Sequence, residues 1–118
     1  MKVLSERFDI SLTQQVLNAG LGMNGAGKYQ AQCGLAEGAL MFLGILGKSH
    51  HLPNEDIVRI CHDYAEEFVE KFGSLNCKKL RPEGFHPDNP PHLCEQLAIK
   101  TITFGLEFIS RKGFLLNN

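Results

Sequence analysis

The sequence lacks a surplus of either charge, because 12 Lys and Arg stand against 13 Asp and Glu and the formal net charge is −1. Without basic residues in excess, little would neutralise the phosphates of a nucleic acid or an anionic membrane surface. A run of apolar residues long enough to cross a bilayer is also missing, since the longest one, 35–47, contains Glu37. We therefore expect neither a nucleic-acid-binding protein nor a membrane protein.

The first ten residues, MKVLSERFDI, have neither the apolar core nor the small-residue cleavage site of a signal peptide. We therefore expect a cytoplasmic protein. In that compartment the four cysteines would be reduced thiols, metal ligands or a cycling redox pair rather than structural disulfides. At 118 residues, without an internal repeat or a linker, residues 1–118 are expected to form one domain.

The sequence has no stretch that alternates with period two for long enough to predict a strand. Apolar residues recur instead at helical spacing, which predicts an all-α, single-domain bundle of about four helices. We expect helices over 11–19, with Asp9 or Ser11 as N-cap, over 29–47, from Asn54 to a stop at Gly73, and from Pro91 to Gly113. A Gly-rich loop over 20–27 and a Pro-rich loop over 81–91 separate them.

The predicted helix over 29–47 is apolar around almost its whole circumference, which is typical of a central helix buried on most sides. Gly34, Gly38 and Gly44 each cost it roughly 1 kcal/mol of helix propensity against Ala. Such a cost suggests that another helix or a bound group packs close to this backbone. Because the helix needs so much cover, we expect a homodimer.

The Gly-rich stretch GLGMNGAGK, residues 20–28, contains both G-x-G-x-x-G and G-x-x-x-x-G-K. A dinucleotide-binding loop needs a preceding strand and an acidic residue about 20 positions later, and both are missing. A P-loop needs Ser or Thr after its lysine to hold magnesium, whereas Tyr29 stands here. The stretch is therefore interpreted as the approach to Cys33 rather than as a phosphate-binding loop.

Three of the four cysteines lie in settings that favour the thiolate. Cys33 is expected in the first turns of a helix, Cys94 follows two prolines that open the last helix, and Cys77 is followed by two lysines. A helix N-terminus and neighbouring cations both stabilise a thiolate. The alternative is that each is a small buried hydrophobe, and for Cys61, on the apolar stripe of its helix, we favour that interpretation.

Metal-binding patterns are weak. There is no C-x-x-C, and the VRICH segment lacks the first cysteine of a haem-attachment motif, so covalent haem is not expected. His92 shares a helix turn with Cys94, and His62 adjoins Cys61, but neither pair has the spacing of a zinc finger or ribbon. A zinc site assembled from distant cysteines and a histidine remains an alternative.

The order of these segments resembles the C_GCAxxG_C_C family of small redox-active proteins. The matching features are AGLGMNGAGKYQAQ, then CGLAEGALMFLG, then FGSLNCKKL, and finally PPHLCEQLA. Together they cover about residues 20–108. The resemblance extends to the cysteine-bearing part of split-Soret cytochromes, which implies that an iron–sulfur cluster is an alternative, although their haem motif is absent here.

On this resemblance, Cys33 supplies the cysteine of the CGAxxG motif, and Cys77 and Cys94 are the family's last two cysteines. This chain departs from the pattern in two ways. Leu35 replaces the alanine of the motif, and no cysteine precedes Cys33, where the family has another.

Three functions therefore stay open. In the first, Cys77 and Cys94, with Cys33, cycle between thiols and a disulfide, as in a thiol–disulfide oxidoreductase that serves a redox partner protein. In the second, Cys33, Cys77 and Cys94 ligate zinc or a [2Fe–2S] cluster, with Cys61 or His92 as fourth ligand, as in an electron carrier. The third is a non-catalytic helical interaction module that has lost the family's site. A shared site requires the ends of the cysteine-bearing helices to meet at one pole of the bundle.

Overall fold

The computed structural model of the chain describes residues 1–21, 32–76, 80 and 95–114. Its helices over these ranges are α1 (Lys2–Arg7), α2 (Gln14–Ala19), α3 (Gly34–Ser49), α4 (Asn54–Phe72) and α5 (Glu95–Arg111). Their only extended pairing is an isolated antiparallel bridge between Gln32 and Asn76. The predicted all-α class is confirmed. The Pro-rich loop, and all but the first two residues of the Gly-rich loop, lie outside the described residues.

The ends of α4 follow from local sequence signals. Pro53 is its N-cap, Glu55 and Asp56 stand in its first turn, and Gly73 closes it in the left-handed region at φ +90°. Acidic side chains suit the positive end of a helix, and glycine adopts a positive φ without strain. The predicted start at Asn54 and stop at Gly73 are confirmed. Within the described ranges, no helix is both long and apolar enough to cross a bilayer.

The N-terminal region differs from the prediction. The helix α1 was not predicted, and α2 begins later than expected because Thr13, rather than Asp9 or Ser11, is its N-cap. The Thr13 hydroxyl accepts a hydrogen bond from the Val16 N–H at 3.3 Å. Asp9 instead lies in the turn after α1, at φ +54°. The short α1 is held by tertiary packing, since Leu4 is buried in the core that it shares with α3 and α5.

Helices α3 and α4 pack antiparallel, and glycine at position 47 lets them approach closely. A Cβ built on Gly47 would lie 2.6 Å from Cγ1 of Ile57, which is closer than real contacts allow. The close packing expected at Gly44 is wrong, because nothing lies within 4 Å of a Cβ there, and at Gly38 the nearest atom is an ordinary 3.9 Å away. The close approach of the two helices is therefore at Gly47, near the loop that connects α3 to α4.

The helix α5 runs antiparallel to α4 and therefore parallel to α3. The ring centroids of Phe104 and Phe72 lie 5.7 Å apart, and those of Phe108 and Tyr64 lie 5.3 Å apart. Later residues of α5 therefore lie beside earlier residues of α4. Beyond the end of α5, Phe114 contacts His50, the residue after α3, with ring centroids 4.9 Å apart. The N-terminal ends of α3 and α5 consequently lie at the same end of the bundle.

Aromatic rings fill the space between α4 and α5, and aliphatic residues of α3 and α1 complete the core. The largest fully buried side chains are Tyr64, Phe42, Phe68, Phe108, Leu46 and Ile109. Burying each such side chain contributes roughly 1.5–3 kcal/mol relative to leaving it exposed. The core is thus the main source of stability, and it extends from the connection between α3 and α4 to the first turn of α3.

Candidate functional site

Parts of three helices lie at one end of the bundle, which we call the Cys33 pole. It consists of the N-terminal end of α3, the segment that leaves α4 through Leu75, and the N-terminal half of α5. A small cavity of about 100 Å³ is lined by Gly34 and Leu35 of α3 and by Thr101 and Ile102 of α5. Glu95, where α5 begins, lies six residues before Thr101, roughly 9 Å along a helix axis toward this pole.

Cys33 is the N-cap of α3, with φ −67° and ψ 125°, and its side chain is buried. The helix therefore begins at Gly34, one residue after Cys33, so the prediction that Cys33 lies in the first turns is wrong by that margin. The sulfur stands at the positive end of a helix whose first N–H groups have no helical partner. No hydrogen bond joins the thiol to those groups. Cys33 thus places a buried sulfur at the N-terminal end of α3 without using it as a capping group.

Backbone hydrogen bonding fixes Cys33 beside the segment that follows α4. The Cys33 N–H donates to the Leu75 carbonyl at 2.7 Å, and Gln32 pairs with Asn76 in the antiparallel bridge. Leu75 itself packs against the core. In the sequence Asn76 is followed directly by Cys77, which lies outside the described residues. The pairing explains why α3 starts later than its apolar pattern predicts, because residue 32 is engaged in extended pairing.

Tyr64 adds a polar atom to this otherwise apolar interior. Its side chain is 0% exposed, and its hydroxyl has no hydrogen-bond partner among the described residues. Burial raises the pKa of Tyr64 well above its usual range, and the negative charge of Cys33 raises it further. In the sequence Tyr64 is one member of the apolar stripe of α4, and no site was predicted there. Its hydroxyl, among side chains that are otherwise aliphatic or phenyl, is the sequence feature that could have indicated a further role.

Cys61 occupies a different environment, in the middle of α4. It packs against the core, and its thiol donates a weak hydrogen bond to the Leu40 carbonyl at 3.9 Å. Burial raises the pKa of this thiol. Leu40 follows Cys33 by seven residues, which is about 10 Å along α3. The predicted packing of Cys61 in the core is confirmed, and its sulfur lies away from the Cys33 pole.

The described residues do not assemble a metal site. Among them there is no group of three or more His, Cys, Asp and Glu side chains that could hold a metal ion. His62 is exposed on the surface of α4, 3.8 Å from carboxylate oxygens of Asp63 and Glu66. Cys77, His92 and Cys94 lie outside the described residues. Among the His, Cys, Asp and Glu side chains that the structure describes, the Cys33 sulfur is thus the metal-ligand candidate at the Cys33 pole.

A larger cavity, of about 490 Å³, lies at the opposite end of the bundle. Its charged residues are already paired, since Asp63 accepts a hydrogen bond from Lys112 at 3.0 Å and Asp56 accepts one from Arg59 at 3.0 Å. It is open to solvent and contains no cysteine. Its size alone therefore gives no reason to prefer it to the Cys33 pole.

Comparison with protein families gives one match. The family model described as "Putative redox-active protein (C_GCAxxG_C_C)" matches residues 1–107, a span that includes α1, α2 and all four cysteines. No curated protein and no solved structure matches the chain. The match begins earlier than the resemblance drawn from the cysteine segments, and its description agrees with a redox role. The chain therefore belongs to the C_GCAxxG_C_C family.

Proposed function

We propose that this protein is a thiol–disulfide redox protein in which Cys33 forms a reversible disulfide with Cys77. The observation that supports this most strongly is the backbone pairing of residues 32 and 33 with residues 76 and 75. It joins two segments that are distant in sequence at the residues next to the two cysteines.

Chain geometry limits how far apart these two cysteines can be. Cα atoms of opposite residues in an antiparallel pair lie about 5.5 Å apart or less, and each further residue adds about 3.8 Å. The Cα atoms of Cys33 and Cys77 are therefore no more than about 13 Å apart. A disulfide requires a separation within roughly 7 Å, which lies inside this limit.

Cys94 is the third thiol of the proposed site. It directly precedes Glu95, the first residue of α5, and α5 is parallel to α3. The N-terminal end of α5 thus points to the same end of the bundle as Cys33. We assign Cys94 the role of the thiol that exchanges with the Cys33–Cys77 disulfide.

The environment of Cys33 suits thiol–disulfide exchange, in which the thiolate is the attacking species. The positive end of α3 favours a negative charge on the sulfur. Closing the disulfide removes two electrons and two protons from the thiols of Cys33 and Cys77. A partner that carries a disulfide takes them up and leaves as two thiols.

Peptide mapping of the oxidised protein tests the proposal. The full chain is oxidised with glutathione disulfide in the presence of a chelator, blocked, and digested with trypsin without reduction. Lys or Arg lies between each successive pair of cysteines, so the four thiols fall in separate peptides. We expect the peptides of Cys33 and Cys77 to be linked, and Cys61 to be recovered as a thiol.

Two variants give the matched comparison. Cys61→Ser should keep the Cys33–Cys77 link, and Cys33→Ser should lose it. A Cys33 that stays a thiol while the other cysteines pair would contradict the proposal. The same protein purified without air should be colourless. Iron or zinc bound at one per chain and released by Cys33→Ser would replace disulfide exchange with metal ligation by these thiols.

A further inference from the structure

Tyr64, in the middle of α4, carries a buried polar group that the redox proposal does not use. The Tyr64 hydroxyl is buried without a partner among the described residues, and the nearest rings belong to Phe68, Phe104 and Phe108. Phenyl rings offer no conventional hydrogen-bond acceptor. Native proteins rarely bury a hydroxyl in this way unless the group serves something besides packing.

The core offers this hydroxyl one side-chain partner. Among the buried core residues that the structure describes, Cys33 is the only one besides Tyr64 with a side-chain atom able to form a hydrogen bond. Thr101 is also buried, but its hydroxyl already donates to the Ala98 carbonyl at 3.0 Å. A polar pair within an apolar core therefore consists of the Tyr64 hydroxyl and the Cys33 sulfur.

The register of α3 against α4 brings the two residues toward each other. Cys61 lies beside Leu40, and Leu75 lies beside Cys33, so α4 approaches the pole as its numbering rises. Tyr64 is one turn past Cys61 in that direction. Burial disfavours the phenolate form of Tyr64, and the charge of Cys33 disfavours it further, so the pKa is raised and the hydroxyl stays a donor.

We propose that Tyr64 is a positioning residue for Cys33, whose hydroxyl donates a hydrogen bond to the Cys33 sulfur when that sulfur carries a negative charge. This inference rests on the proposed function, since it gives the thiolate of that chemistry its partner. In the structure the Tyr64 hydroxyl and the Cys33 sulfur form no hydrogen bond, so the proposal requires a small movement of one toward the other. Ionisation of the sulfur turns the pair into a charge-assisted hydrogen bond.

The test is a pH titration of the Cys33 sulfur in the full, reduced chain. Labelling cysteine with ¹³C at Cβ allows the ionisation of a buried thiol to be followed by NMR without a reagent having to reach it. Tyr64→Phe removes the hydroxyl and keeps the ring. We expect the midpoint of the Cys33 titration to move upward by about one pH unit, because a hydrogen bond to a charged group is lost.

The controls separate this role from packing. Thr101→Val removes a buried hydroxyl that is already satisfied, and it should leave the Cys33 midpoint unchanged. The Cys61 titration should not move in either variant. An unchanged Cys33 midpoint in Tyr64→Phe, or an equal shift in Thr101→Val, would overturn the inference. The titration measures ionisation of the reduced Cys33 thiol and does not depend on the disulfide. The role of Tyr64 can therefore be wrong while the Cys33–Cys77 disulfide forms, and it can be right even if that disulfide does not form.

Discussion

The two ends of α3 are joined to α4 in different ways. At the Gly47 end the contact is between side chain and backbone, since Ile57 fills the space where a Cβ would stand. At the Cys33 end the contact is between backbones, through the Cys33 N–H and the Leu75 carbonyl. Backbone pairing holds the segments together without using the sulfur. At the Gly47 end a side chain is thus committed to packing, whereas at the Cys33 end the sulfur takes no part in joining the helices, as the proposed redox function requires.

The largest effect on stability is expected at the Gly47 end. Gly47→Ala would place a Cβ 2.6 Å from Cγ1 and 3.6 Å from the Cβ of Ile57, so that side chain cannot avoid it by moving its tip alone. Overpacking of this kind typically costs about 1–3 kcal/mol. Alanine also gains up to about 1 kcal/mol of helix propensity at this position. We therefore expect the free energy of unfolding, measured in urea, to fall by about 1–2 kcal/mol. The Cys33–Cys77 link should form as in the wild type.

Gly44→Ala is the matched control in the same helix. A Cβ at Gly44 meets nothing within 4 Å, so alanine should raise stability by up to about 1 kcal/mol through helix propensity. Equal effects of the two substitutions would remove the distinction between a packed and an open glycine. Loss of the disulfide in the folded Gly47→Ala protein would break the separation between the two ends.

A smaller effect on stability is expected at Cys61, in the middle of the contact between α3 and α4. Cys61→Ala removes a partly buried sulfur and its bond to Leu40, which should lower the free energy of unfolding at pH 7 by about 1 kcal/mol. Because burial raises the pKa of Cys61 in the folded state, the unfolded thiol ionises first as pH rises past about 8.5. Wild-type stability should therefore decline above that pH.

Urea unfolding from pH 7 to pH 10 checks this sign. The alkaline decline should be shallower in Cys61→Ala, which has no thiol to ionise at that position. An identical pH dependence in both proteins would show that Cys61 is no more buried than in the unfolded chain. The Cys33–Cys77 link should again be unaffected, because the Cys61 sulfur lies away from the pole.

Strong local signals made much of the fold predictable. Pro53 and Gly73 delimit α4 because each residue has a fixed backbone preference that does not depend on the rest of the chain. The start of α3 was not predictable, since the pairing of Gln32 with Asn76 joins segments that no local pattern connects. The helix α1 was missed for a similar reason, because its short length makes it dependent on tertiary packing.

The family was predictable from the sequence, and the surroundings of Cys33 were not. The order of the cysteine segments identified the family, and its description agrees with a redox role, while the assignment of Cys33, Cys77 and Cys94 as the site stays a prediction. Tyr64 was hidden because an apolar stripe gives no information about which hydroxyl will lack a partner. The close packing assigned to Gly44 belongs to Gly47, since propensity cost alone does not tell which glycine touches a neighbour. The homodimer and the pairing of the thiols stay predictions.

The central claim is that redox chemistry belongs to the Cys33 end of α3 and not to the Cys61 thiol. Equilibrium titration of the metal-free full chain against glutathione, followed by counting free thiols, tests it most directly. We expect one two-electron couple in the wild type and in Cys61→Ser, and the loss of that couple in Cys33→Ser, with all three proteins folded. A couple that survives in Cys33→Ser and disappears in Cys61→Ser would contradict the account.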